Sequence, residues 1–173
     1  QRGAQIYVNN CLGCHTLKYQ RYVKFVDHLQ LPAETIENNL IFTTNKDGEA
    51  TKIGSLILNS VNPDHAKEAF GVMPPDLTLI ARSRGADWLY TFLTSFYKDE
   101  TRPLGVNNSL YSNVGMPHVL VWMEGLKKQS SETGGYEYVN KGTMTPAEYN
   151  KAMTDLVNFL VYVAEPAQLD RYR

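Results

Sequence analysis

Cys11-Leu12-Gly13-Cys14-His15 is the stretch from which the rest of this chain is read. The order Cys-x-x-Cys-His is that of covalent attachment of a c-type haem. In that chemistry two thiols become thioethers to the haem vinyl groups, and the adjacent histidine binds the iron from one face. The spacing follows from geometry. A helical turn that ties down both edges of the porphyrin carries the next side chain beneath the metal. A bare Cys-x-x-Cys also suits a redox pair or half of a zinc site, and the added histidine makes the motif far more specific. A zinc knuckle needs four N or S ligands. The chain has two cysteines in all, and its other histidines, His28, His65 and His118, are scattered without ligand spacing.

Haem attachment consumes both thiols, which leaves none for a disulfide. The compartment then follows from the cofactor: in bacteria, c-type attachment takes place on the far side of the inner membrane. The balance of 17 Lys and Arg against 18 Asp and Glu argues against a nucleic-acid surface. A length of 173 residues suits one domain, long for a minimal haem carrier, so inserted segments are expected around a haem core. We expect a single domain over 1–173, with an insertion at about 20–72 and a C-terminal helix at about 146–164. The chain opens at Gln1 without a basic or apolar leader, as after removal of a signal peptide. The longest apolar run, Leu156 to Ala164, is interrupted by Asn158 and falls short of the roughly 20 residues a spanning helix needs.

Outward from the motif, residues 2–11 read as a short helix with Ile6 and Tyr7 on its apolar face. Gly3 either admits a second helix at close range or simply starts this one. Pro32-Ala33-Glu34 opens a helix to about Leu40, with proline in its first turn. Asn45-Lys46-Asp47-Gly48 is a turn. Ile53, Leu56, Leu58 and Val61 form an imperfect helical stripe. Asn62 caps a short helix that starts at Pro63 and ends at Gly71. The paired prolines of Met73-Pro74-Pro75-Asp76-Leu77 hold an extended segment, after which Asp76 caps a helix from Leu77 to Arg82. Asp87 caps a clearer helix rich in aromatics: Trp88, Tyr90, Phe92, Phe96 and Tyr97. A flat cofactor needs such walls, and an ordinary core uses them too.

Residues 101–122 carry Pro103, Gly105, Asn107, Asn108, Asn113, Gly115 and Pro117, and read as a long structured loop. A loop of that length in a compact domain is usually functional. Residues 127–143 read as a small surface hairpin. Thr145-Pro146-Ala147-Glu148 is a complete helix start with a capping box. Tyr149, Met153, Leu156, Val157, Leu160 and Val163 continue it as one apolar stripe, suited to packing across the N-terminal helix.

With His15 on one face, the iron needs a ligand on the other. A neutral thioether favours reduced iron and raises the potential. Met153 lies on the apolar stripe and Met144 precedes a cap. Met73 sits before the double proline. Met116, between Gly115 and Pro117 in the long loop, is the leading candidate. Met123 and His118 remain as alternatives. Arg82 and Arg84 precede the aromatic helix, and either guanidinium can fork onto a haem propionate. Pro75 and Tyr90 are candidate cofactor contacts.

The segments GAQIYVNNCLGCH with the following YQRY, PPDLTLIARSRG, WLYTFL, NVGMPHVL and DLVNFLVYVAEP resemble, in order and over nearly the whole chain, the cytochrome c1 family in its proteobacterial form. PPDL and VNFLVYVAEP are the most particular to it. The resemblance implies a mainly α, class I cytochrome c-like haem fold with inserted helices, long loops and a small hairpin. It implies one covalent haem c held by Cys11, Cys14 and His15. Pairing NVGMPHVL with the family's methionine segment favours Met116 as the second ligand, and a pairing through Asn113 and Pro117 favours Met123. The family's propionate arginine falls on Arg84. The implied partners are cytochrome b and a Rieske iron-sulphur protein, with a soluble c-type cytochrome as electron acceptor. The implied location is the periplasmic face of the inner membrane. The family has a membrane anchor after the AEP segment, expected here beyond Arg173. A free-standing periplasmic carrier, or the haem domain of a dehydrogenase, is the alternative of a different class.

Overall fold

The computed structural model describes residues 1–45, 47–132 and 134–171, without the side chains of 169 and 170. Lys46 of the 45–48 turn and Arg173 lie outside the described residues. Helices dominate, accompanied by two-stranded antiparallel pairs.

The centre is a crossing of α1 (Arg2–Asn10) with α8 (Pro146–Ala164). The start of α8 is the capping box its sequence dictates. Thr145 Oγ1 accepts from the Glu148 amide at 3.3 Å, and the Glu148 carboxylate accepts from the Thr145 amide at 2.8 Å. The stripe Tyr149, Met153, Leu156, Val157, Leu160 and Val163 is buried throughout. Gly3 meets it at close range. A β-carbon there would stand 2.0 Å from the Asp155 carbonyl oxygen and 2.8 Å from Phe159 Cβ. The crossing therefore requires glycine, beyond any role in starting α1. Tyr7 packs one turn on, its ring 5.6 Å from that of Phe159.

The segment after the haem motif forms β1 (Leu17–Arg21), α2 (Lys24–Leu29), α3 (Ala33–Leu40), β2 (Leu56–Ile57) and α4 (Pro63–Phe70). Phe25, Ile36, Leu40 and Ile57 are buried in the same cluster as α1 and α8, so these residues help build the main core. Pro32 occupies the cap of α3, just outside its first turn. Asn62 caps α4 by accepting from the amides of Asp64 and His65, and Gly71 ends it at φ 76°. The expected stripe over Thr51–Val61 is not helical. Its apolar residues fall at intervals of three, two and three, which keep no helical face, and Leu56 and Ile57 pair with β1 instead. Alternation follows: Ile57 is buried and Leu58 is 46% exposed.

Further on come α5 (Ile80–Arg84), α6 (Ala86–Thr94), β3 (Phe96–Lys98), β4 (Val106–Asn108), α7 (Val121–Glu124), β5 (Gly125–Gln129), β6 (Tyr136–Lys141) and α9 (Ala167–Arg171). Two expected caps are corrected. The first helix here starts at Ile80, because Asp76 spends its carboxylate elsewhere. Oδ1 accepts from the Thr78 amide in a local turn, and Oδ2 accepts from Thr16 and the Lys18 amide. Asp87 lies inside the first turn of α6, where its charge suits the positive helix end, and Gly85 at φ 89° occupies the cap.

Leu89 and Leu93 turn α6 onto the core, and the hydroxyl of Tyr149 on α8 donates to the Leu93 carbonyl at 2.8 Å. β5 and β6 form the expected hairpin. The long loop is held by two buried asparagines. Asn108 donates to the Phe92 carbonyl and accepts from the amides of Leu110 and Tyr111. Asn107 donates to Asp99 and accepts from the Asn113 amide. No helix among the described residues is long and apolar enough to cross a membrane.

Candidate functional site

Helix α1 runs directly into the cysteine motif. The amides of Cys11 and Leu12 both donate to the Tyr7 carbonyl, and those of Cys14 and His15 both donate to the Cys11 carbonyl. The motif is thus a tight turn closing the helix, with its backbone donors satisfied locally. The Tyr7 hydroxyl donates to the His15 carbonyl, and Asn59 to that of Leu12. These bonds tie the motif to the floor of the core on one side and to the segment before α4 on the other.

His15 is half-buried, with Nδ1 2.7 Å from the Pro75 carbonyl oxygen. A carbonyl only accepts, so Nδ1 carries the proton and Nε2 keeps its lone pair. Burial lowers the affinity of the ring for a second proton, outweighing the Pro75 carbonyl and the Asp76 charge, which act the other way. Asp76 is itself placed by this contact region. Burial raises its pKa, but bonds from Thr16, the Lys18 amide and Thr78 outweigh burial and hold it below the usual carboxylate range. The Leu77 amide adds a bond of 2.9 Å to the Thr16 carbonyl. Pro74 and Pro75 therefore lead into a strap fastened through Pro75, Asp76 and Leu77 to the residues around His15.

Both thiols are free. Burial, with Cys14 nearby, pushes the Cys11 thiol up to about 12. Among the described residues no group of three or more His, Cys, Asp or Glu comes together, so neither cysteine has companions for a zinc site.

The methionines are placed very differently. Met116 is half-buried and packs on a small cluster of Phe96, Val106 and Val114 beside Phe92. Met123 is 1% exposed, enclosed in the main core with Met153. Met144 is partly buried against that core, and Met73 is half-buried ahead of the strap. His118 is buried, its ring stacked on Phe96 and its Nε2 3.0 Å from Glu124 Oε2. Gly115 packs tightly: a β-carbon there would stand 2.8 Å from the Phe70 carbonyl at the end of α4.

Arg84 lies over the Trp88 ring at 5.0 Å, and among the described ion pairs none includes it. Arg82 lies on the side of Glu165, whose carboxyl its charge helps to hold low after Arg171. Trp88 stacks on Phe92 at 5.1 Å, and Tyr111 meets both rings edge-on. Tyr90, half-buried, packs against the main core, and Pro75 is exposed. The carbonyl of Pro75, rather than its ring, is what the structure ties to His15. Sequence reasoning passed over Asp76 as a strap, Trp88 as the arginine's seat, and Glu124. The one available signal was an acid beside two prolines, which was assigned to a cap.

A family model described as the Cytochrome C1 family matches residues 1–173. Cytochrome c1 of Allochromatium vinosum is 44% identical over 183 residues, covering 100% of this chain and 72% of that protein. The ammonia monooxygenase gamma subunit of Nitrosomonas europaea is 40% identical over 166 residues, covering 96% and 68%. Mitochondrial cytochrome c1 of Neurospora crassa, a protein named as a heme protein, is 31% identical over 194 residues, covering 100% and 54%. A full-length family match, and a proteobacterial relative similar over the whole chain, agree with the Cys-x-x-Cys-His turn and its histidine. This chain belongs to the cytochrome c1 family, in its proteobacterial form.

Proposed function

We propose that this chain is the haem subunit of a quinol-oxidising cytochrome bc1 complex. In this role it takes an electron from a Rieske iron-sulphur protein and passes it to a soluble c-type cytochrome. One observation carries the reading. His15 is held by Nδ1 to the Pro75 carbonyl with Nε2 left as a lone-pair donor, directly after two free thiols. Metal-binding histidines are typically fixed in this way by an outer carbonyl. The haem, when bound, supplies a one-electron ferric/ferrous couple.

Cys11 and Cys14 would hold the haem through thioether bonds, and His15 would give the iron a nitrogen ligand through Nε2. Met116 gives the second ligand. Its half-exposed place in a loop leaves its sulphur reachable, whereas Met123 has protein packed on every side and His118 Nε2 faces Glu124. A thioether there favours the reduced iron. Arg84, seated on the Trp88 ring, takes a propionate, and Pro75 and Tyr90 contribute to the walls.

The main core gathers side chains from Ala4 to Val163, which supports one class I-like domain carrying the 20–72 insertion. Cytochrome b and the Rieske protein are the membrane partners, and an anchor following this segment places the chain on the periplasmic face. A relative from Candida albicans, 28% identical over 191 residues, is named as a catalytic subunit of the cytochrome b-c1 complex. The test is co-purification of the native full-length protein. Stoichiometric cytochrome b and Rieske protein support the assignment, and a haem protein that purifies alone, with no membrane partner, overturns it in favour of a free-standing carrier. The isolated segment should carry electrons without oxidising quinol.

A further inference from the structure

Beside the site lies a buried charged cluster with no place in the scheme above. Glu124, at the end of α7, is buried, and each of its oxygens faces a different partner. Oε1 takes the ammonium of Lys127 on β5, which also donates to the Thr94 carbonyl at the end of α6. Oε2 lies 3.0 Å from His118 Nε2, and among the described residues neither atom makes a hydrogen bond. The His118 ring lies flat on Phe96 at 4.9 Å and 3°. Phe96 belongs to the small cluster on which Met116 packs. A carboxylate removed from water needs its counter-groups held in place, and those groups in turn fix the chain that bears them. Here the counter-charge is Lys127, which is fastened to α6, and His118, two residues after Met116, stands against the other carboxylate oxygen with its ring on Phe96.

We propose that Glu124 is a positioning residue for the Met116 sulphur, clamping the loop through His118 to α6 and β5. The proposal rests on the reading of Met116 as the iron's second ligand. Packing also holds that loop, through Gly115 against the Phe70 carbonyl and Leu120 in the main core, and the clamp adds to it between those two points. Glu124 touches neither the iron nor the sulphur and acts through the backbone between His118 and Met116.

The test uses the full-length, haem-loaded protein in its membrane complex. It compares wild type with Glu124→Gln, His118→Gln, Met116→Leu and Lys128→Gln, the last breaking an exposed pair with Glu137 on the same hairpin. The readouts are the red sulphur-to-ferric-iron band, the imidazole concentration that displaces the sulphur, the potential, and amide exchange over 114–120. Met116→Leu tests the ligand reading alone: loss of the band supports it, and an unchanged band sinks that reading whatever Glu124 does. Glu124→Gln and His118→Gln should keep the band, accept imidazole at about tenfold lower concentration, and exchange faster over 114–120. If the tenfold loss falls on the ferric form alone, the potential rises by about 59 mV. Lys128→Gln should change nothing. If Glu124→Gln lowers thermal stability but leaves imidazole affinity and potential as in wild type, Glu124 is merely structural and the proposal fails. Failure of both Glu124→Gln and His118→Gln to take up haem also overturns a role limited to positioning.

Discussion

Gly3→Ala tests the helix crossing on which the haem motif is built. The added β-carbon would stand 2.0 Å from the Asp155 carbonyl oxygen and 2.8 Å from Phe159 Cβ. Reaching an ordinary approach of 3.4 Å means moving α1 off α8 by about 1.4 Å, at the contact where Tyr7 and Phe159 also meet. The obstructing atom is backbone, so no side chain can swing away. Strain of this kind costs about 1–3 kcal/mol, and sometimes more. Alanine returns up to about 1 kcal/mol of helix propensity, less in a first turn. The balance is a loss of about 2 kcal/mol, or about 4–8 °C in Tm for a domain of this size. Thermal unfolding followed by far-ultraviolet and Soret circular dichroism measures it, with Gln5→Ala on the exposed side of α1 as the control expected within about 0.5 kcal/mol. A Gly3→Ala protein as stable as wild type, or more so, would refute the close crossing.

Other outcomes are expected from the same geometry. Met116→Leu should lower the potential and remove the weak red band, and a band that survives would move the assignment to Met123. Tyr149→Phe leaves the buried Leu93 carbonyl without its donor and should cost about 1–3 kcal/mol in a denaturant titration. Asp76 bears on acid stability. Its carboxyl is held below the usual range, so its contribution is present above the ordinary carboxylate pKa and disappears as pH falls through the lowered value. Asp76→Asn should therefore start with a lower Tm at neutral pH and lose less of it on acidification; equal acid slopes in the two proteins would contradict this.

What could be seen in advance was mostly local. The α8 cap and stripe, the Asn62 cap with Gly71 at the other end of α4, and the hairpin all rest on contacts within a few residues, which spacing records. What escaped rests on pairing across long separations. Leu56 and Ile57 take strand geometry because β1 lies alongside, and nothing in their own neighbourhood announces it. Asp76 looked like a helix cap because acids often are, yet its partners Thr16 and Lys18 lie about sixty residues back. The motif named Cys11, Cys14 and His15, but only the fold reveals that a proline carbonyl sets the histidine's proton. Glu124 sat unremarked in a mixed-charge stretch, since burial of an acid cannot be read from its neighbours. The two arginines were alike in sequence and are separated by surroundings: Arg84 rests on Trp88, while Arg82 lies towards Glu165.

The most direct test of the central claim is the visible spectrum of the purified protein before and after acid-acetone extraction, with its thiols titrated alongside. Sharp Soret and alpha bands that stay with the polypeptide, and no reactive thiol, are the predicted result. A colourless protein, or one whose colour extracts while Cys11 and Cys14 both react, would contradict it.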